Sequence, residues 1–206
     1  TSDDFLKNVS DRPDFGTQSG PMLVIGDEGA GKTAFLQSVA RAIQATHKSD
    51  DVQFALITSR PDEWSSLKLT DHVAGMFDVE HDGAQQLINS LAAWAHTNKN
   101  SRQSVILLVD ELESIAKWDI AGLQHFRWLL LRGTARRVWP IVTLNAGRYG
   151  QVIAWLDLFR TRVFGWVANR PAAEALGADY LSGVNRLEAG RQFSLRENGS
   201  WLQFHI

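Results

Sequence analysis

Short apolar runs alternate with amphipathic stretches along most of the chain. Met22-Leu23-Val24-Ile25 is the first run, and residues 34–45 follow as a helix-forming stretch. Val52–Thr58 reads as a second strand, broken by Arg60-Pro61-Asp62, with a polar loop to Asp71. Residues 73–79 form a further short strand. Over residues 83–98, Ala84, Leu87, Ile88, Leu91, Ala92 and Ala95 recur at helical spacing. Val105-Ile106-Leu107-Leu108-Val109 is continuously apolar, as a strand covered on both faces is. A helix over 121–131 and strands over 141–144 and 162–167 come next. Residues 191–195 and 201–206, joined by Asn198-Gly199, read as a hairpin. Strands alternating with helices predict an α/β fold: a mostly parallel central sheet, helices on both faces, and a C-terminal β-hairpin.

The loop between the first run and the first helix changes this from a fold to a site. Gly26-Asp27-Glu28-Gly29-Ala30-Gly31-Lys32-Thr33-Ala34 carries the spacing G-x-x-x-x-G-K-[ST] between a strand and a helix. Glycines let the backbone turn several N–H groups inward on a phosphate, and a helix start adds its positive end. Lys32 is placed to reach the β- and γ-phosphates, and Thr33 to offer a hydroxyl to Mg²⁺. Residues 26–34 are therefore the expected nucleotide contacts.

A second signal ends the 105–109 run. Asp110, at a strand tip, suits the Mg²⁺ shell, and Glu111 beside it suits activation of a water. A third is Asn145, just past residues 141–144, where an amide can report a γ-phosphate; Asn before Ala-Gly serves equally as a turn residue. A complete strand and a helix separate the phosphate loop from Asp110. The two strands are thus not expected to be sheet neighbours, an arrangement of the RecA-like branch of P-loop NTPases.

Composition bounds the rest. At 206 residues and 44% hydrophobic, the chain suits one domain over 21–206 behind a polar arm over 1–20. It has no cysteine, which removes disulfides and thiolate metal sites, and no apolar run of bilayer length. A cytoplasmic setting is expected. The chain opens on Thr1, as a piece of a longer, even membrane-anchored, protein would. Net charge is −2, but residues 1–103 hold 9 Lys+Arg against 14 Asp+Glu, and residues 104–206 hold 12 against 9. Eleven of those twelve cations are Arg, which suits phosphate and interface contacts.

Taken together, the chain resembles the motor domain of the FtsK/HerA group of P-loop ATPases. The likeness rests on Pro21–Gly26, Ser104–Ile115, Ile141–Asn145, Thr161-Arg162-Val163-Phe164, Leu176–Asp179 and Glu188–Arg191. The resemblance implies ATP with Mg²⁺ as fuel and a homo-oligomeric ring, commonly a hexamer. Such a ring moves a polymer, double-stranded DNA in most relatives and protein in the EccC-type secretion branch. A nucleotide-switched scaffold with little turnover is a further reading. The resemblance also implies an Arg acting on the neighbouring subunit's site. Arg162 falls on a matched motif; Arg132, Arg136 and Arg137 are alternatives, or simply a basic helix terminus. Two departures stand out. Asn145 replaces a Gln, and the stretch after the second strand reads Thr58-Ser59-Arg60-Pro61-Asp62 where the group has D-P-K. Lys117, Trp118, Arg148 and Tyr149 are candidates for polymer-facing loops, while Trp94 and Trp128 sit at packing positions.

Overall fold

The computed structural model describes residues 20–67, 70–98, 102–179, 181–197 and 200–206. Eight strands form one sheet: β1 (Met22–Gly26), β2 (Val52–Thr58), β3 (Val73–Asp78), β4 (Ser104–Val109), β5 (Val138–Asn145), β6 (Thr161–Phe164), β7 (Gln192–Glu197) and β8 (Ser200–His205). Their order is β3-β2-β4-β5-β1-β6-β7-β8. Pairings from β3 to β6 are parallel, and β7 and β8 add an antiparallel hairpin at one edge. The Asn198-Gly199 turn and residues 1–19 of the polar arm lie outside the described residues.

The helices are α1 (Lys32–Thr46), α2 (Asp82–Thr97), α3 (Leu112–Ile115), α4 (Ile120–Arg132), α5 (Ile153–Leu156) and α6 (Arg170–Ala175). The alternation of side chains along each strand sorts the core into two layers. Leu23, Ile25, Ile57, Leu107 and Val109 pack with Ile88, Leu91, Phe126 and Leu129 of α2 and α4. Val24, Phe54, Leu56 and Leu108 face the other way, onto Phe35 and Leu36 of α1, Trp64, and the hairpin's Phe193 and Phe204. Both faces are covered, so the central strands carry no polar face. The polar stretch after β2 is not an open loop: Pro61–Leu67 winds into a 3₁₀ helix that buries Trp64 and Leu67.

The phosphate-loop strand and the acidic strand are separated, as expected, but by a different strand. β5 lies between β1 and β4, while β2, which the sequence places between them, pairs with the far side of β4. The insertion therefore comes from a later segment of the chain. It brings the tip of β5 to the middle of the sheet's C-terminal edge, with Gly26 opposite Asn145.

Arg162, the residue the resemblance assigns to a neighbour's site, is engaged within its own chain. It pairs with Leu23, three residues below the tip of β1. Its Nη1 donates to the carbonyl of Leu176 at 2.7 Å and its Nη2 to that of Leu156 at 2.9 Å. Those carbonyls end α6 and α5, where helix dipoles favour a cation. Arg162 is a strut that caps two short helices of its own chain. Arg162→Ala should cost about 2–3 kcal/mol of unfolding free energy, since two charged hydrogen bonds are lost and the Leu176 carbonyl loses its donor, while the Leu156 carbonyl keeps the Phe159 N–H. Urea unfolding measures this, and a loss below about 0.5 kcal/mol would contradict the strut.

Candidate functional site

The C-terminal tips of β1, β4 and β5 open into a cleft of about 290 Å³. Its wall includes Glu28, Gly29, Gly31, Lys32, Thr33 and Ala34 from the loop and the first turn of α1. Gly29 and Gly31 adopt φ of 76° and 87°, which favour glycine. A side chain on Gly31 would also strike the Gly190 backbone at 2.7 Å. No side chain caps α1, so its first amides face the cleft as anion donors.

Gly26, Asp27 and Ala30 shape the loop from behind rather than lining the cleft. Ala30 is buried, and the Asp27 carboxylate accepts from the Ala168 backbone N–H at 2.8 Å, latching the loop to the segment after β6. The Gly26 and Asp27 carbonyls accept from Lys32 Nζ at 3.0 and 2.8 Å. Burial lowers the Lys32 pKa, opposed by the negative charges of Glu113, Asp110, Asp27 and Glu111.

A chain of hydrogen bonds ties the acidic strand to α1 and to β5. Thr33 Oγ1 donates to Asp110 Oδ2 at 2.9 Å, and Thr143 Oγ1 donates to Asp110 Oδ1 at 2.9 Å. The Glu111 backbone N–H donates in turn to Thr143 Oγ1 at 2.7 Å. Asp110 is 1% exposed, and burial raises its pKa against the pull of Thr143, Thr33 and Arg60. Glu111 sits at φ 82°, ψ 87°, a strained backbone for a residue with a side chain. Its carboxylate reaches the cleft and accepts from Ser59 Oγ at 3.1 Å and Ser114 Oγ at 3.4 Å.

Asn145 also lines the cleft, its Oδ1 accepting from the Gly147 N–H at 3.0 Å. The turn role and the cleft position thus coexist, with the amide nitrogen left for other contacts. Arg148, three residues on, also lines the cleft. Trp118 is half-buried, its indole N–H on the Val79 carbonyl at 3.0 Å, and Tyr149 packs against the core. Lys117 remains exposed. Trp94 and Trp128 pack against the core, as their spacing predicts. Arg132, Arg136 and Arg137 lie before the first residue of β5, at the N-terminal ends of the central strands and about 25 Å from the cleft by strand length. Arg137 is spent there on the Arg102 carbonyl at 3.1 Å.

Sequence reasoning missed Glu63, Glu113 and Arg148 in the wall of this cleft, and Thr143 buried beneath it. Thr143 had a signal, being the one hydroxyl in the apolar run 141–144. Glu113 had none until α3 curled it back toward the loop. It is 2% exposed, neither carboxylate oxygen has a hydrogen-bond partner, and Arg148 Nη1 stands 3.8 Å away. Burial raises its pKa, while the nearby backbone N–H groups of Glu113 and Asn145 oppose the rise without reaching hydrogen-bond geometry.

A glycine loop at a helix start, an ammonium, and adjacent carboxylates on the next strand but one define a P-loop NTPase of RecA-like fold. The chain belongs to the AAA domain family, which matches residues 16–141. No curated protein matches it. Among solved structures it is similar to Thermomonospora curvata EccC (ATPases 2 and 3) in complex with a signal sequence peptide, at 12% identity and a TM-score of 0.72. That match covers 91% of this chain and 36% of EccC. The pCW3 conjugation coupling protein TcpA, in monomer form with ATPγS, matches at 14% identity and TM-score 0.65, over 91% of this chain and 60% of that one. B204, the DNA-packaging ATPase from Sulfolobus Turreted Icosahedral Virus, matches at 11% and 0.66, over 91% and 98%. The chain spans 36% and 23% of the two EccC chains it matches. These likenesses show the fold, and with the family they make the chain a P-loop ATPase domain.

The orphan carboxylate makes a prediction about pH. The folded state holds the Glu113 proton more tightly than the unfolded chain does. Its contribution is therefore most favourable at low pH and is lost as pH rises from the ordinary value of 4.5 through the raised one. Glu113→Gln should melt higher than the parent at neutral pH, by about 2–4 °C per kcal/mol recovered, with the gap closing toward pH 4.5. Thermal melts across pH measure the gap; a pH-independent difference would contradict it.

Proposed function

We propose that the domain is a motor that couples ATP hydrolysis to movement of a polymer, of the FtsK/HerA kind, with double-stranded DNA as the first candidate. The observation that carries the reading is the hydrogen-bonded line from Thr33 through Asp110 and Thr143 to the backbone of Glu111. It fixes a phosphate-side hydroxyl, a metal-side carboxylate and a base in one frame. Likeness to a DNA-packaging ATPase and a conjugation coupling protein supports the motor class.

In this reading the loop amides and Lys32 hold the triphosphate. Lys32 leaves the Gly26 and Asp27 carbonyls to do so, a short swing for a side chain whose charge is already strained by burial. Thr33 Oγ1 and Asp110 Oδ2, 2.9 Å apart, are hard oxygens that fit Mg²⁺. The metal, when bound, supplies charge neutralisation to the phosphates. Glu111 takes the proton of the attacking water, and Ser59 and Ser114 orient its carboxylate. Asn145 offers its free amide to the γ-phosphate.

Assembly as a ring, a hexamer in the resembling group, would bring an arginine of the next copy to this cleft. Arg162 is committed to its own helices, which leaves Arg132 and Arg136 as the better candidates. Both lie at the opposite, N-terminal end of the central strands, so a ring using either would set that end of one copy against the cleft of the next. A second reading has an observation behind it: EccC, solved with a signal sequence peptide, shares this fold as the DNA-packaging ATPase does. A protein substrate is the natural alternative.

Glu111→Gln should retain ATP binding and lower turnover by about 10²–10⁴-fold. Steady-state hydrolysis alongside ATP titration checks it, and parental turnover would remove Glu111 as the base. Duplex DNA should raise the ATPase rate, with an effect that fades steeply between about 50 and 200 mM salt. A rate indifferent to DNA but raised by peptide would favour the second reading.

A further inference from the structure

Arg60 is the group that the phosphate-binding reading does not absorb. It follows β2, its backbone N–H donates to Thr58 Oγ1 at 3.1 Å, and Pro61 opens the 3₁₀ helix behind it. Where the resembling group carries an acidic residue before proline, this chain carries an arginine. Its guanidinium reaches across the mouth of the cleft. Nη1 donates to Glu63 Oε1 at 3.1 Å. Nη2 donates to Thr33 Oγ1 at 3.0 Å and lies 3.4 Å from Asp110 Oδ2 and 3.8 Å from Glu111 Oε1.

One nitrogen thus contacts both oxygens that suit a divalent metal, and stands near the base. A guanidinium and a hydrated divalent cation cannot share those oxygens. The planar fork of arginine also binds phosphate oxygens well, and with a side chain 47% exposed Arg60 is free to move without disturbing the core. A cation at this point neutralises whatever phosphates the loop presents to Thr33.

We propose that Arg60 is a tethered cation of the metal seat: it supports binding of a nucleoside triphosphate without a divalent metal, and it competes with the metal for Thr33 and Asp110. This rests on the reading of the cleft as a triphosphate site. The metal-free complex is bound but idle, because Arg60 also draws on the Glu111 carboxylate. With Thr33 and Asp110 holding a metal, the Arg60 guanidinium would turn outward, toward Glu63, which already holds its other nitrogen. The consequence is a domain that stays loaded with nucleotide while turnover follows metal supply.

The test measures ATP affinity by calorimetry in EDTA and in Mg²⁺ for the parent, Arg60→Ala and Arg60→Lys, with Mn²⁺ titrated separately in the absence of nucleotide. The parent should bind ATP in EDTA within about tenfold of its affinity in Mg²⁺. Arg60→Ala should lose metal-free binding by about tenfold or more, keep its affinity in Mg²⁺, and take Mn²⁺ several-fold more tightly. Arg60→Lys, which keeps the charge but not the fork, should fall between them. Thermal melts confirm that each variant is folded. If EDTA weakens ATP binding equally in the parent and Arg60→Ala, Arg60 is not a surrogate cation, although the triphosphate site stands. If the parent binds no ATP even with Mg²⁺, the site reading itself fails and this proposal with it.

Discussion

The Asp110 carboxylate is the point on which the site depends. A carboxylate almost fully removed from water is costly unless its oxygens are satisfied. Here Thr33 comes from α1 to one oxygen, and Thr143 from β5 to the other. Each donor lies on a different element, so the satisfied state exists only when the phosphate loop, the acidic strand and the inserted strand are in register. The pairing of Val109 with Val142 delivers Thr143 to Asp110, and that of Gly26 with Asn145 delivers the loop beside them. A one-residue slip of β5 would turn Thr143 to the other face of the sheet. The buried charge is a weak source of stability and a strong source of registry.

Thr143 does a second thing that follows from the first. Its hydroxyl gives its proton to Asp110 and accepts one from the Glu111 N–H. That bond helps hold Glu111 at φ 82°, a conformation the residue would leave if free. The same kink starts α3 and turns Glu113 back against the core, where among the described residues its carboxylate has no hydrogen bond and only Arg148 Nη1 at 3.8 Å as a counter-charge. One backbone strain therefore leaves one carboxylate open to the cleft and another, two residues later, buried in its wall. A smooth continuation of β4 would place Glu111 and Glu113 on the same side, since strand side chains alternate; the turn lets the chain give them different surroundings.

The elements were legible because the core is simple. Both faces of the central sheet are covered, so strands β1, β2 and β4 announce themselves as continuous apolar runs. Helices α1, α2 and α4 carry a period that moved their bounds by only one or two residues. The phosphate loop was legible because its spacing is local. What was not legible depends on juxtaposition. Thr143 meets Asp110 across 33 positions and Arg60 meets Thr33 across 27. Arg162 is a related case: a motif match gives it a role toward a neighbour, while the bonds it makes to the carbonyl ends of two short helices are invisible as periodicity.

The charges of the cleft set the order in which it can fill. Its wall carries Glu28, Glu63, Glu111 and Glu113 against Lys32, Arg60 and Arg148. Asp110 adds a further negative charge just beneath. Two of the three cations are partly committed, Arg60 to Glu63 and Thr33, and Arg148 toward Glu113. A triphosphate adds several negative charges to a wall that already leans acidic. Its binding therefore requires either that these arginines turn from carboxylates to phosphates or that a divalent cation comes with it. In a low-dielectric cleft both compensations strengthen each other's consequences, because every carboxylate an arginine abandons becomes a better ligand or base. Nucleotide binding, metal binding and the freeing of Glu111 are thus coupled through the same few side chains, without any need for a moving domain to connect them.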